Sequence, residues 1–210
     1  MLPSKLLSHV RRFLLLSLLL FSGFSVASEP RILVMGDSLS AGYGIDLKDG
    51  WVNLLQERLS LQTPYGVVNG SVSGETTGGG LARLPALLKE HQPAIVILEL
   101  GGNDGLRGHP LPVMRENLEK MIELSQAANA QVLLLGMQIP PNYGPRYTRL
   151  FHKTYVDLSQ QYQLNFVPFF LEGVGGNPEL MQRDGIHPTA DAQPLMLEHV
   201  WKTLEPMLKP

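Results

Sequence analysis

Apolar residues in this chain fall into short unbroken runs and longer stretches where they recur every three or four positions. Runs at 31–35, 66–69, 94–100, 131–137 and 165–168 read as strands. The run at 94–100 is apolar almost throughout, as in a strand buried on both faces. Helical spacing marks 50–61, 79–90, 112–128, 145–162 and 190–207. Its carriers are Trp51, Leu54, Leu55 and Leu59, then Leu81, Leu84, Leu87 and Leu88, then Val113, Leu118, Met121, Ile122 and Leu124. Pro85 predicts a kink or restart in the second of these helices, and Pro194 an early interruption of the last. Strands alternating with helices predict an α/β fold with a parallel sheet covered on both faces. Five strands suit a three-layer α/β/α arrangement of the flavodoxin-like kind, whose ligands bind beyond the carboxyl ends of the strands.

The most apolar stretch, residues 13–24, obeys neither period. It follows Lys5, Arg11 and Arg12 and precedes the small residues Ser25-Val26-Ala27, the three parts of a secretory signal. Spanning a bilayer needs ~20 apolar residues, more than this run supplies. The expected organisation is a signal peptide over 1–27 and a single domain over 28–210, periplasmic or secreted after cleavage. Without the three leader cations, 14 basic and 19 acidic residues remain, a net charge of −5. That balance gives no electrostatic reason to bind nucleic acid or an anionic membrane. The chain has no cysteine, which excludes disulfides, thiolate catalysis, Cys-based zinc sites and a lipoprotein anchor.

Four clusters remain once the elements are set: Gly36-Asp37-Ser38-Leu39-Ser40, Gly74, Gly101-Gly102-Asn103-Asp104 and Asp184-Gly185-Ile186-His187. Three of them begin just after a predicted strand, on the rim where a doubly wound sheet holds its ligand. A hydroxyl becomes a useful nucleophile only beside a base, and Ser38 is the candidate. Among six histidines only His187 has a carboxylate three residues earlier in a glycine-containing loop, so it is the candidate base and Asp184 its orienter. His91, His199 and His152 fall in helical stretches, the first two reading as surface residues; His109 adjoins the Asn103 loop, as though lining a pocket. Gly74, Asn103 and the Ser38 N–H are candidate oxyanion donors. Each also has a plain structural reading. Ser38 suits a helix N-cap, Gly74 and Asn103 suit turns, and Asp-x-x-His suits a structural turn. Gly36 reads as the residue that lets the chain turn, Asp37 and Asp104 as loop-structuring groups, and Gly78-Gly79-Gly80 as a flexible turn into a helix. Ser40 has no assignable role.

Gly36-Asp37-Ser38-Leu39 resembles the nucleophile block of the GDSL hydrolases, and the other three clusters resemble the remaining blocks of the SGNH hydrolases. Gly74-Glu75-Thr76-Thr77, Leu81-Ala82-Arg83-Leu84-Pro85, Asn142-Tyr143-Gly144 and Asp191-Ala192-Gln193-Pro194 resemble one branch of it, the bacterial periplasmic multifunctional esterases. The resemblance implies a serine esterase with arylesterase, acyl-CoA thioesterase and lysophospholipase activities. It implies an acyl-enzyme mechanism, small-molecule or lipid ester substrates, no cofactor or metal, no stable membrane anchor, and a monomer. Leu106 and Ile139 neighbour the site loops as candidates for an acyl pocket, and the turn-rich loop 139–144 as a pocket wall. A carbohydrate or cell-wall deacetylase on the same fold and a non-catalytic acyl-binding protein are the alternatives. No Gly-x-Ser-x-Gly, Walker, dinucleotide or His-Glu-x-x-His pattern occurs.

Overall fold

Ile32, Leu33, Val34 and Met35 have no exposed surface, because the strand that carries them lies inside a sheet whose two faces are covered by helices. The computed structural model describes residues 29–208; the expected signal peptide lies outside the described residues. The strands are β1 (Arg31–Gly36), β2 (Gly66–Asn69), β3 (Ile95–Glu99), β4 (Gln131–Leu135) and β5 (Asn165–Val167). They form one sheet in the order β2-β1-β3-β4-β5, and every pairing is parallel. This order is that of a flavodoxin-like doubly wound sheet, the fold class expected from the sequence. At the carboxyl end of the central pair Gly36 lies in register with Glu99.

Seven α-helices occur among the described residues: α1 (Ser38–Ala41), α2 (Trp51–Ser60), α3 (Thr77–His91), α4 (Gly102–Leu106), α5 (Leu111–Ala127), α6 (Pro145–Gln161) and α7 (Gln193–Leu204). Helices α3, α5 and α6 pack side by side, and α2 packs on α7, giving the two outer layers. The core is one cluster whose largest fully buried side chains are Trp51, Tyr155, Phe151 and Phe170.

Three expectations about helices need adjusting. First, α3 does not restart at Pro85 but runs through it as one helix. Pro85 faces solvent, where water can serve the carbonyl its ring leaves without a donor, while Leu84 and Leu88 stay buried. Second, the interruption expected early in the last helix falls just before Pro194: a 3₁₀ turn at Ala190–Ala192 precedes α7, and Pro194 sits in the first turn of α7, where no helical N–H bond is required. Third, Gly78-Gly79-Gly80 is not a turn but the opening of α3, capped by the Thr76 side chain accepting from the Gly79 N–H. A Cβ on Gly80 would run into Leu100 Cδ1. On α5 the buried face is Met114, Leu118, Met121 and Ile122, whereas Val113 and Leu124 are exposed.

Candidate active site

The first cluster follows β1 directly. Asp37 caps α1, its Oδ1 accepting from the Leu39 N–H at 3.0 Å. Gly42 closes the turn in the left-handed region at φ 73°. Ser38 therefore opens a single helical turn, almost buried at 9 % exposure. Gly36 has a different role from the one its position suggests. It is not among the residues with positive φ; a Cβ there would sit 2.6 Å from Glu99 Oε2 and 2.8 Å from Ser40. The glycine makes room for a carboxyl group from β3.

His187 arrives on the segment between β5 and α7, which is tied down at several points. Met181 and Pro188 form an antiparallel bridge, and the Gln182 N–H donates to the His187 carbonyl at 2.7 Å. The Gln182 side chain donates to the carbonyls of Tyr43 and Pro188, both at 2.9 Å, fastening this segment to the turn that bears Ser38. Asp184 Oδ1 accepts from the N–H groups of Ile186 (2.9 Å) and His187 (3.0 Å), and its Oδ2 lies 2.7 Å from His187 Nδ1. Hydrogen bonds from the His187 backbone and ring, then from Ile186, hold the Asp184 carboxyl down at about 2. An ionised Asp184 can only accept, so Nδ1 carries the proton and Nε2 faces Ser38 Oγ, 2.9 Å away, as an acceptor. The ring of Tyr43 lies against the imidazole.

Asn103 comes from α4, after β3. Gly101 precedes it at φ 110° with the Tyr155 hydroxyl packed against it, so only glycine fits. The Asn103 Nδ2 donates to Asp37 Oδ2 at 3.0 Å, placing the amide beside the serine turn. Burial pushes the Asp37 carboxyl up to about 6, against hydrogen bonds from Leu39 and Asn103 that lower it. Asp104 structures the loop as expected. Buried, it accepts from the Thr77 N–H (2.8 Å) and hydroxyl (2.7 Å). Gly74 sits at φ 79° in the loop before α3, its carbonyl accepting from Arg107 at 3.1 Å. It stands outside the residues that line the cavity described next.

A cavity of about 510 Å³ opens beside Ser38 and His187. Its wall includes Asn103, both acyl-pocket candidates, Leu106 and Ile139, and the expected loop residues Pro140 and Pro141. Ile186 of the fourth cluster adds to the apolar lining, together with Phe169, Leu171 and Met181, which periodicity and motifs did not single out. His109 does not join it; half-exposed, its ring lies 3.7 Å from Asp104. His91 and His199 are half-buried rather than free on the surface, and His199 Nδ1 lies 3.3 Å from the Phe170 carbonyl. No cluster of three or more metal-ligating side chains occurs among the described residues. The sequence also gave no sign of Tyr43, Gln182 or Glu99, each brought to the site by long-range contacts. An oriented imidazole against a hydroxyl, at the mouth of an apolar cavity, is equipped for acyl transfer.

The family model for GDSL-like lipases and acylhydrolases matches residues 34–194. The chain is 48% identical over 193 residues to an arylesterase from Vibrio mimicus, covering 90% of this chain and 96% of the relative. It is 44% identical over 185 residues to thioesterase 1/protease 1/lysophospholipase L1 of Escherichia coli K12, covering 88% of each. The crystal structure of TesA superimposes with a TM-score of 0.83 at 55% identity, covering 85% of this chain and 99% of that one.

Proposed function

The chain belongs to the GDSL-like lipase/acylhydrolase family, and from that premise we propose that Ser38, His187 and Asp184 carry out its hydrolysis of esters and thioesters. The observation that carries this reading is the unbroken line from Asp184 Oδ2 to His187 Nδ1 (2.7 Å) and from His187 Nε2 to Ser38 Oγ (2.9 Å), ending at the cavity.

The reaction runs in two halves. His187 Nε2 takes the Ser38 proton as Oγ forms a bond to the acyl carbon. Negative charge moves onto the carbonyl oxygen, towards the N–H groups of Ser38 and Gly74 and the Asn103 amide. The tetrahedral intermediate collapses as the leaving alcohol or thiol takes the proton from His187. Water then attacks the acyl-enzyme with His187 again as base, releasing the acid and restoring Ser38. Asp184 stays ionised throughout and steadies the imidazolium.

The apolar cavity supports an acyl chain well beyond acetyl. Aryl esters, fatty-acyl thioesters and lysophospholipids all present such a chain, which disfavours the deacetylase alternative. The leader pattern supports export to the periplasm, where lipid esters are the more accessible substrates. No helix among the described residues is long and apolar enough to cross a membrane. The test is a fluorophosphonate probe together with a nitrophenyl ester series from acetate to palmitate. We expect an adduct on Ser38, preference for octanoate over acetate, and no turnover by Ser38→Ala. Full esterase activity in Ser38→Ala would end the catalytic reading.

A further inference from the structure

One ionisable group beside the site has no part in those steps. Glu99 ends β3 with no exposed surface, directly across from Gly36. Its Oε2 accepts from the Asp37 N–H at 3.2 Å and from the Ser40 hydroxyl at 2.6 Å. Ser40 Oγ in turn accepts from the indole N–H of Trp51 at 3.2 Å. One carboxyl oxygen thus grips the residue before Ser38 and the residue two after it. The other oxygen, Oε1, is buried with no protein hydrogen-bond partner.

The charge state follows from this setting. An ionised Glu99 would place a charge in a fully buried site with one oxygen lacking a protein partner and with a second carboxyl, Asp37, interacting with it. Burial first, then the Asp37 charge, push the Glu99 carboxyl well above the usual range. Two interacting carboxyls resist ionising together, and the more deeply buried one keeps its proton. Asp37, which also accepts from Leu39 and Asn103, is then the ionised member. That matters for Asn103, whose amide has an accepting and a donating end. A carboxylate at Asp37 only accepts, so it selects the flip that presents the NH₂. One N–H meets Asp37, and the second remains for the substrate oxygen.

We propose that Glu99 is a positioning residue for the hydrolysis: as the neutral acid it clamps both flanks of Ser38, and it leaves to Asp37 the single negative charge that fixes the donor face of Asn103. This rests on Ser38 and Asn103 acting as proposed above. The titratable groups facing the pair are His187 from the loop before α7, Asp104 from α4 and the Tyr155 phenol from α6.

The experiment compares Glu99→Gln, Glu99→Leu and Ser40→Ala with the unsubstituted protein. It measures kcat, KM and the pH profile on nitrophenyl octanoate, with Ser38→Ala as control. Glutamine mimics the neutral acid, so Glu99→Gln should keep kcat within about threefold and leave the acidic limb in place. Glu99→Leu should lose kcat by roughly 30-fold or more with KM nearly unchanged, the pattern of a misplaced nucleophile and donor. Ser40→Ala should lose kcat by about 5- to 10-fold in the same way. The proposal is overturned if Glu99→Leu keeps full kcat, or if Glu99→Gln falls as far as Glu99→Leu. Should Glu99→Leu fail to fold, undiminished kcat in Ser40→Ala overturns it. An active Ser38→Ala would instead reject the catalytic reading, whereas an inactive Ser38→Ala beside a fully active Glu99→Leu rejects this inference alone.

Discussion

The ring of Tyr43 rests against the imidazole of His187, with centroids 4.4 Å apart and planes inclined by 37°. The contact joins the turn after α1 to the loop before α7, where Gln182 also donates to the Tyr43 carbonyl. Tyr43 is 52% exposed, so it covers the imidazole from the solvent side. An aromatic pair of this kind is worth ~1 kcal/mol beyond burial. Its use here is to restrict rotation of a base already tethered at Nδ1.

Tyr43→Ala should therefore lower kcat by about 3- to 10-fold on a short-chain nitrophenyl ester, with KM almost unchanged. Tyr43→Phe keeps the ring and should retain most of kcat. Steady-state kinetics of the two variants checks this. Equal kcat for Tyr43→Ala and the parent would show that the ring does not restrain His187.

Asp184 should set the rate without setting the acid limb of activity. Its carboxyl is held down at about 2, so it is ionised at every pH where the protein works. A depressed carboxyl adds stability that is present above its ordinary value of 3.8 and is lost as pH falls through about 2. Asp184→Asn should cut kcat by ~10²–10⁴, because the amide no longer fixes the Nδ1–H tautomer. Between pH 5 and 7 the parent should melt higher than the variant by a constant margin, and the margin should shrink only below about pH 4. A margin that already changes at pH 6 would assign the wrong group.

How much of this was legible in the sequence depends on the range of each interaction. Ser38 and the Asp184–His187 pair are local signals, a hydroxyl after a strand and a carboxylate three residues before a histidine, and they meet where the motif order implies. The sheet was legible because β1 is apolar from Ile32 to Met35 and β3 from Ile95 to Leu98. Glycines were harder, since their sequence signal does not separate freedom to turn from lack of space. Gly36 and Gly80 both read as turn formers and both prove to be sites of close approach. Glu99 sits in a run that otherwise reads as plain core. Its partner Ser40 is 59 residues away, which no local pattern encodes.

Asp37 should trade stability for activity. Burial raises its carboxyl from an ordinary 3.8 to about 6, so the folded state favours the protonated form. The stability from this preference is fully present below pH ~4 and is lost as pH rises through about 6. Above that pH the ionised group costs the fold on the order of 2–3 kcal/mol. Asp37→Asn keeps an oxygen to cap α1 and removes the charge. The variant should melt higher than the parent at pH 7.5, converge with it near pH 4, and lose kcat because Asn103 no longer faces an obligate acceptor. Calorimetry at both pH values and one kinetic series test this. A variant no more stable than the parent at pH 7.5 would contradict the burial cost.

Gly80→Ala should reverse the usual helix-propensity rule. In an exposed helix interior the change gains up to about 1 kcal/mol. Gly80 is buried in the first turn of α3, and a Cβ there would run into Leu100 Cδ1 while approaching Met121 Sδ and Met35 Cε at 3.4 Å. Leu100 is fully buried and its carbonyl accepts from the Tyr155 hydroxyl at 2.9 Å, so it has little room to retreat. Overpacking should outweigh propensity, with a net loss of roughly 1–3 kcal/mol. Leu100 leads into Gly101 and the Asn103 loop, so displacing it should also lower kcat. Gly78 lies two residues earlier on the same helix, and a Cβ there would meet nothing closer than 3.8 Å. Gly78→Ala should therefore be neutral or stabilising. Urea denaturation of the two variants separates the effects, and a Gly80→Ala protein as stable as Gly78→Ala would show that the packing of Gly80 on Leu100 has slack.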